Sequence, residues 1–296
     1  MKPTLKHLPE RPAKPRHTGV TMVMDKGLSY RQAEDFIETC GALTDVVKLG
    51  FGTTMVTPNV ERKIQLYHDA GLDVYFGGTL FEAFYVRNQL ADFRQMCLDF
   101  GVNVMEVSDG SIVLNHKEKC DLITSFSEDF KVLSEVGSKE EGILISPAKW
   151  IRMMLAELKA GSWKVIAEAR ESGNVGIFRP NGHAHTILIN KIMAKVNNDN
   201  ILWEAPKKPQ QVWFLKLMGA NVNLGNIAPN DVIPLETLRL GLRGDTFFEH
   251  LPEAIVKKAQ PIVPEPTQKS TAKKTPAKKP AAKKAPAKKA APKAKA

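Results

Sequence analysis

The sequence predicts a closed (β/α)₈ barrel followed by a cationic tail, and three observations carry that expectation. Eight short β-branched or apolar runs recur, with starts roughly 20–40 residues apart, the interval of repeated β-α units. Each run ends in glycine or a polar residue before a helical pattern begins. Beyond His250 the composition then changes abruptly to proline, lysine and alanine. Eight alternating units of this kind close more readily into a barrel than into any other layered arrangement. An open doubly wound sheet is the competing fold. It would want a glycine-rich loop after the first strand, and Asp25-Lys26-Gly27-Leu28 is not one.

Taken in order, the predicted strands are Gly19–Asp25, Asp45–Gly50, Leu72–Gly77, Val102–Ser108, Lys131–Val136, Trp163–Glu168, Ile201–Glu204 and Ala220–Gly225. Between the first two, Ser29 is a natural N-cap for a helix running to Thr39. Pro58 opens a helix that should reach Ala70 and stop at Gly71. Pro147 to Lys159, between Ser146 and Gly161, repeats that grammar, with Trp150, Met153, Met154 and Leu158 as an apolar stripe. The predicted organisation is an amino-terminal extension over 1–18, the barrel over 19–250, a proline-rich linker over 251–268 and a disordered basic tail over 269–296.

The formal charge of +10 comes from 42 basic and 32 acidic side chains among 296 residues. Eleven lysines lie between Lys269 and Ala296, where no acid occurs, and subtracting those 11 from +10 leaves −1 for the rest. The partner of the globular body is therefore not announced by net charge. Hydrophobic residues make up 43%, enough for a large core. Three scattered cysteines exclude a disulfide scaffold or a cysteine zinc site and suit a reducing, cytoplasmic setting. Met1 to His17 lacks the apolar stretch of a secretory signal, and no run of about 18 apolar residues predicts a membrane span.

Strand alternation locates the chemistry. If Val47 and Leu49 face the helices, Val46 and Lys48 face the barrel interior. The same parity turns Glu106, Glu135, Glu168, Arg170, Glu204 and Asn223 inward, each near the carboxyl end of its strand, where barrel sites assemble. Glutamates crowded into one mouth repel one another unless a cation or a basic partner is present. A divalent ion with oxygen ligands, Mg²⁺ above all, answers that need. Glu106, Glu135 and Glu168 are the metal-ligand candidates, on parity alone. The competing reading is a network of ion pairs that only closes the barrel. Turns such as Gly50-Phe-Gly-Thr53, Gly77-Gly-Thr79 and Gly225-Asn-Ile227 leave backbone N–H groups for an anion. With Arg170, Arg239 and Arg243 they suggest a phosphorylated small molecule. His183 and His185 follow Pro180-Asn-Gly182 and read as solvated loop histidines.

Several stretches also resemble the phosphosulfolactate synthase family. They include Val47-Lys-Leu-Gly-Phe-Gly-Thr53, Gly77-Gly-Thr-Leu-Phe-Glu82, Glu106-Val-Ser-Asp-Gly-Ser111 and Glu168-Ala-Arg-Glu-Ser-Gly173. Glu204-Ala-Pro206, Val222-Asn-Leu-Gly-Asn226 and Gly241-Leu-Arg-Gly-Asp-Thr246 continue the likeness in order, from about Gly19 to Phe247. The resemblance implies a (β/α)₈ barrel and Mg²⁺-dependent addition of sulfite to phosphoenolpyruvate, a step of coenzyme M biosynthesis. It implies a proton-donating lysine just after the fifth strand, which falls on Lys139. Lys48, Arg170, Asn223 and Arg243 are then the candidates for substrate oxygens. Ala169 stands where the family usually carries glycine. The family also includes plant relatives linked to heat stress, so a barrel with an altered reaction is the second reading. A homo-oligomer is compatible with the sequence.

The repeated Lys-Lys-Ala-Pro-Ala units of the tail suit sequence-independent attraction to nucleic acid. Full-length protein should then bind duplex DNA at low salt and release it as salt rises, while a 1–255 fragment should not bind. Equal binding by both at two salt concentrations would make the tail a solubilising appendage.

Overall fold

Eight parallel strands form one sheet in this computed structural model, which describes residues 4–137 and 145–259. They are β1 (Thr21–Asp25), β2 (Val46–Leu49), β3 (Asp73–Phe76), β4 (Val104–Val107), β5 (Lys131–Val136), β6 (Lys164–Ala167), β7 (Ile201–Glu204) and β8 (Leu224–Ile227). The order is β3-β2-β1-β8-β7-β6-β5-β4, and β3 and β4 lie side by side at the seam. Asn103 bridges that seam, accepting from the Val74 N–H at 3.0 Å and donating to Asp73 at 2.6 Å. The barrel is the predicted one. Lys139, the second half of the linker and the whole lysine-rich tail lie outside the described residues.

The helices are α1 (Tyr30–Cys40), α2 (Val60–Asp69), α3 (Gly78–Tyr85), α4 (Leu90–Asp99) and α5 (His116–Phe126), then α6 (Pro147–Ala160), α7 (Thr186–Met193), α8 (Lys208–Met218), α9 (Val232–Arg239) and α10 (Glu253–Ala259). Ser29 caps α1 in a reciprocal capping box with Gln32, and Ser146 caps α6, as their positions predict. Helix α2 starts two residues later than Pro58 suggests, because Asn59 adopts a left-handed φ of 51° and cannot continue a right-handed turn.

Two apolar layers follow from strand alternation. Val46, Val104, Leu133, Ile166 and Leu202 fill the interior with Met22 and Tyr75. Their neighbours Val47, Met105, Val132, Val165 and Trp203 face outward into the larger core beneath the helices. The interior residues are those that parity assigns, so the inward direction of the polar residues further along each strand follows.

The eighth strand departs from expectation. It begins at Leu224, four residues beyond the predicted start, and carries an irregularity in its pairing with β1. Thr21 pairs with Leu224 but Val23 pairs with Ile227, so three residues on β8 span two on β1. Asn223 consequently lies at the amino end of the barrel. Its Oδ1 accepts from the Val20 N–H and its Nδ2 donates to the Asp199 and Ile201 carbonyls.

That lower end is closed by basic side chains from the amino-terminal segment and α9. Arg11 pairs with Glu236 at 2.9 Å and Arg16 with Asp45 at 3.1 Å. Arg239 is fully buried and donates to the Ala220 and Val222 carbonyls, which corrects its reading as an anion-binding group. Lys164 donates to the His17 and Asp199 carbonyls, and burial pulls its pKa down to about 8 against the pull of Asp199. An unfolded lysine titrates near 10.4, so between about pH 8 and 10.4 the native state holds fewer protons here than the unfolded chain. Stability from this group should rise with pH across that window. In denaturant titrations the stability difference between wild type and Lys164→Met should shift toward wild type from pH 8 to 10, and a flat difference would contradict the shift.

Candidate active site at the barrel mouth

Lys48, at the carboxyl end of β2, is the electrostatic centre of the mouth. Its ammonium lies 3.1 Å from Glu106 Oε2 and 3.3 Å from Glu204 Oε1, with the Tyr75 ring at 5.9 Å. Burial works against the charge, but Glu106, Tyr75, Glu204 and Glu135 outweigh it and hold Lys48 well above the ordinary lysine pKa. Lys48 is therefore a fixed cation at any physiological pH, suited to binding and not to giving up a proton. Burial likewise raises the Tyr75 phenol well above its ordinary value, so it stays neutral.

Glu135, Glu168 and Glu204 end three neighbouring strands, and one carboxylate oxygen from each lies within 4.8 Å of the others. All three are buried. Three hard, anionic oxygens at that spacing fit a divalent cation such as Mg²⁺. The set differs from the one parity proposed, since Glu204 takes the third place and Glu106 sits with Lys48. Parity gives the face on which a side chain lies, not which of several inward carboxylates converge.

Backbone approaches hold these groups in place. A Cβ at Gly78, the first residue of α3, would collide with Glu106 Oε1 and Ser108 Cβ. Gly137 has a φ of +148° and a Cβ there would meet Glu168 Cβ, so the end of β5 passes closely over the end of β6. Ser108 Oγ lies 2.8 Å from Glu135 Oε1 and 2.5 Å from Glu82 Oε1, tying α3 to the site. Behind the strands, buried Lys119 on α5 pairs with Asp109 at 2.8 Å and Glu157 at 3.1 Å and donates to the Glu135 carbonyl. It fixes the backbone of a candidate ligand.

The cavity above has a volume of about 240 Å³. Lys48, Glu135, Glu168, Arg170 and Glu204 line it, with the Gly77-Gly78-Thr79 turn, Ser111, Phe51 and Asn226. Arg170 is exposed on the rim. Asn223 and Arg243 are not at this cavity. Asn223 is at the opposite end of the barrel, and Arg243 lies in the turn after α9 with its carbonyl accepting from Thr246. Lys139 lies outside the described residues. Asp25, at the end of β1, is structural: it pairs with Lys63 at 2.7 Å, accepts from Tyr67 and caps the Gly27 and Leu28 N–H groups.

The predicted site residues do not include Glu82, Lys119 or Asn226, although Glu82 and Asn226 lie in stretches that carry the resemblance. Glu82 and Lys119 sit on helices, where charge ordinarily means solvent. The Asn226 side chain is turned into the mouth by the irregularity in β8, which strict alternation does not anticipate.

A parallel eight-stranded barrel with carboxylates and a buried lysine converging at its carboxyl end defines the enzymatic class of (β/α)₈ proteins. The fold is similar to 3-hexulose-6-phosphate synthase from Salmonella typhimurium, with a TM-score of 0.50 and 13% identity over 76% of this chain and all of that one. The family model described as (2R)-phospho-3-sulfolactate synthase (ComA) matches residues 9–245, and the chain belongs to that family. It is 40% identical over 245 residues to the phosphosulfolactate synthase of Methanothermobacter thermautotrophicus, covering 81% of this chain and 95% of the relative. It is 39% identical to that of Bacillus subtilis, covering 81% and 97%. The match takes in residues 9–18, which the sequence alone reads as an extension and which carry the Arg11 and Arg16 anchors.

Lys48→Met removes the cation that Glu106 and Glu204 share inside the barrel. It should cost about 3–5 kcal/mol of stability, the usual penalty for breaking a buried pair from one side. Chemical denaturation should show a lower midpoint at unchanged slope. A midpoint equal to wild type would mean that the lysine does not offset those carboxylates.

Proposed function

We infer that the chain is a phosphosulfolactate synthase, a lyase that joins sulfite to phosphoenolpyruvate to give (2R)-phospho-3-sulfolactate. The observation that carries the reading is the family match along nearly the whole barrel, together with the convergence at one mouth of Lys48, Gly77, Ser111, Glu168, Glu204 and Asn226, each from a stretch that carries the resemblance.

The chemistry asks for three things. Sulfite must be brought to the methylene carbon of phosphoenolpyruvate, the displaced π electrons must be stabilised on the carboxylate side, and a proton must reach the neighbouring carbon. The new C–S bond uses the sulfur lone pair, the C=C π pair takes the proton, and no group leaves. Lys48 and Arg170 supply positive charge at the inner and outer parts of the cavity, where phosphate, carboxylate and sulfite oxygens would lie. The Gly77-Gly78-Thr79 turn at the start of α3 offers backbone N–H groups for one of those anions. A divalent cation held by Glu135, Glu168 and Glu204 would supply Lewis-acid stabilisation of the developing carboxylate charge. The proton is assigned to Lys139, following the resemblance. A lysine in that role would protonate the carbon next to the new C–S bond.

Phosphorus NMR with mass spectrometry on protein, phosphoenolpyruvate, sulfite and Mg²⁺ should show a new phosphomonoester that needs both substrates. Glu168→Gln should raise the Mg²⁺ concentration for half-maximal activity by about 10-fold or more, on the scale of lost metal-site interactions. Lys139→Ala should abolish turnover with the fold retained. No product from folded wild-type protein would favour a family member with an altered reaction.

A further inference from the structure

Asn226 combines three features that a structural asparagine does not need together. Its backbone φ is +56°, a left-handed conformation that asparagine tolerates better than other residues with side chains. It sits on the β8 irregularity, so its side chain enters the mouth although its even-numbered neighbours Val222 and Leu224 face the outer core. Its Nδ2 donates to the Ala169 carbonyl at 3.2 Å, which sets the orientation of the amide. The Oδ1 is then buried at the cavity, with no hydrogen-bond partner among the described residues.

The surroundings indicate what that oxygen meets. The peptide of Ala169 is held from both sides, its N–H by Glu204 Oε2 at 2.9 Å and its carbonyl by Asn226. Asn226 is thus attached to the residue that follows Glu168 and through it to Glu204, two of the three converging carboxylates. Oxygens of phosphate, carboxylate and sulfite are acceptors, and an amide oxygen does not attract them. A neutral amide oxygen beside three carboxylates suits a hard cation or a water polarised by one.

We propose that Asn226 presents its Oδ1 to a divalent cation at the barrel mouth, directly or through one of the cation's waters, as the neutral oxygen beside Glu135, Glu168 and Glu204. The proposal rests on reading those glutamates as the cation site. It accounts for the asparagine itself: glycine would satisfy the backbone but bring no oxygen, and aspartate would lose the donor to Ala169.

The test is Mn²⁺ binding to the full-length protein, followed by electron paramagnetic resonance, in wild type, Glu168→Gln, Asn226→Gly and Asn226→Asp. Circular dichroism verifies the fold of each. Asn226→Gly keeps the left-handed backbone and should weaken Mn²⁺ by about 10-fold. Asn226→Asp returns an oxygen without the amide donor and should restore the affinity, which a residue that only tethered Ala169 would not do. Wild-type affinity in Asn226→Gly, with binding lost in Glu168→Gln, would overturn this proposal and leave the glutamate site standing. Equal weakness of Asn226→Gly and Asn226→Asp would assign the asparagine to the tether alone. Absence of Mn²⁺ binding in wild type would remove the glutamate site, and the proposal with it.

Discussion

The ion pairs of Lys48 with Glu106 and Glu204 are the interaction on which the rest of the mouth depends. Carboxylates at the ends of adjacent strands repel one another in a low-dielectric interior, and each loses solvation by being there. An ammonium between β4 and β7 on the floor of the cavity offsets part of both costs. Glu204 belongs to both groups: it shares the lysine with Glu106 and brings a carboxylate oxygen together with those of Glu135 and Glu168. The same pairing fixes the protonation of Lys48, so the lysine contributes charge and cannot shuttle protons.

Holding that arrangement requires support from outside the barrel. Gly78 and Gly137 allow backbone to pass directly against Glu106 and Glu168, and no side chain fits either place. Lys119 reaches from α5 to the carbonyl of Glu135, and Ser108 links Glu135 to Glu82 on α3. At the other end, Arg11, Arg16 and Arg239 tie the amino-terminal segment and the strand starts together. One end of the barrel is thus built for stability and the other for chemistry, the division usual for this fold.

The barrel was legible because two periodicities agree along the chain: period two within the runs and helical spacing between them. Parity placed Lys48, Glu135, Glu168 and Glu204 on the inner face, and the structure puts all four at the cavity. At β8 parity holds as far as Gly225 and breaks at Asn226, where the irregularity adds a residue, and the strand starts later than the sequence suggests. Asn223, which looks like the end of a strand in the sequence, supports its beginning, and Asn226 takes the place at the mouth. Arg239 was misread for a related reason. An arginine near a helix end suggests solvent or ligand, and only the packing shows it donating to strand carbonyls. Which carboxylates converge depends on strand tilt and stagger, and a sequence of alternating residues does not encode these one by one.

The proposed reaction requires phosphoenolpyruvate and a divalent cation to meet at the mouth above Lys48. Anomalous diffraction from crystals grown with Mn²⁺ and phosphoenolpyruvate tests it most directly. A manganese peak in contact with Glu135, Glu168 and Glu204 is expected, with ligand density between it and Arg170. Manganese bound elsewhere, with the three carboxylates touching no ion at saturating metal, would contradict it.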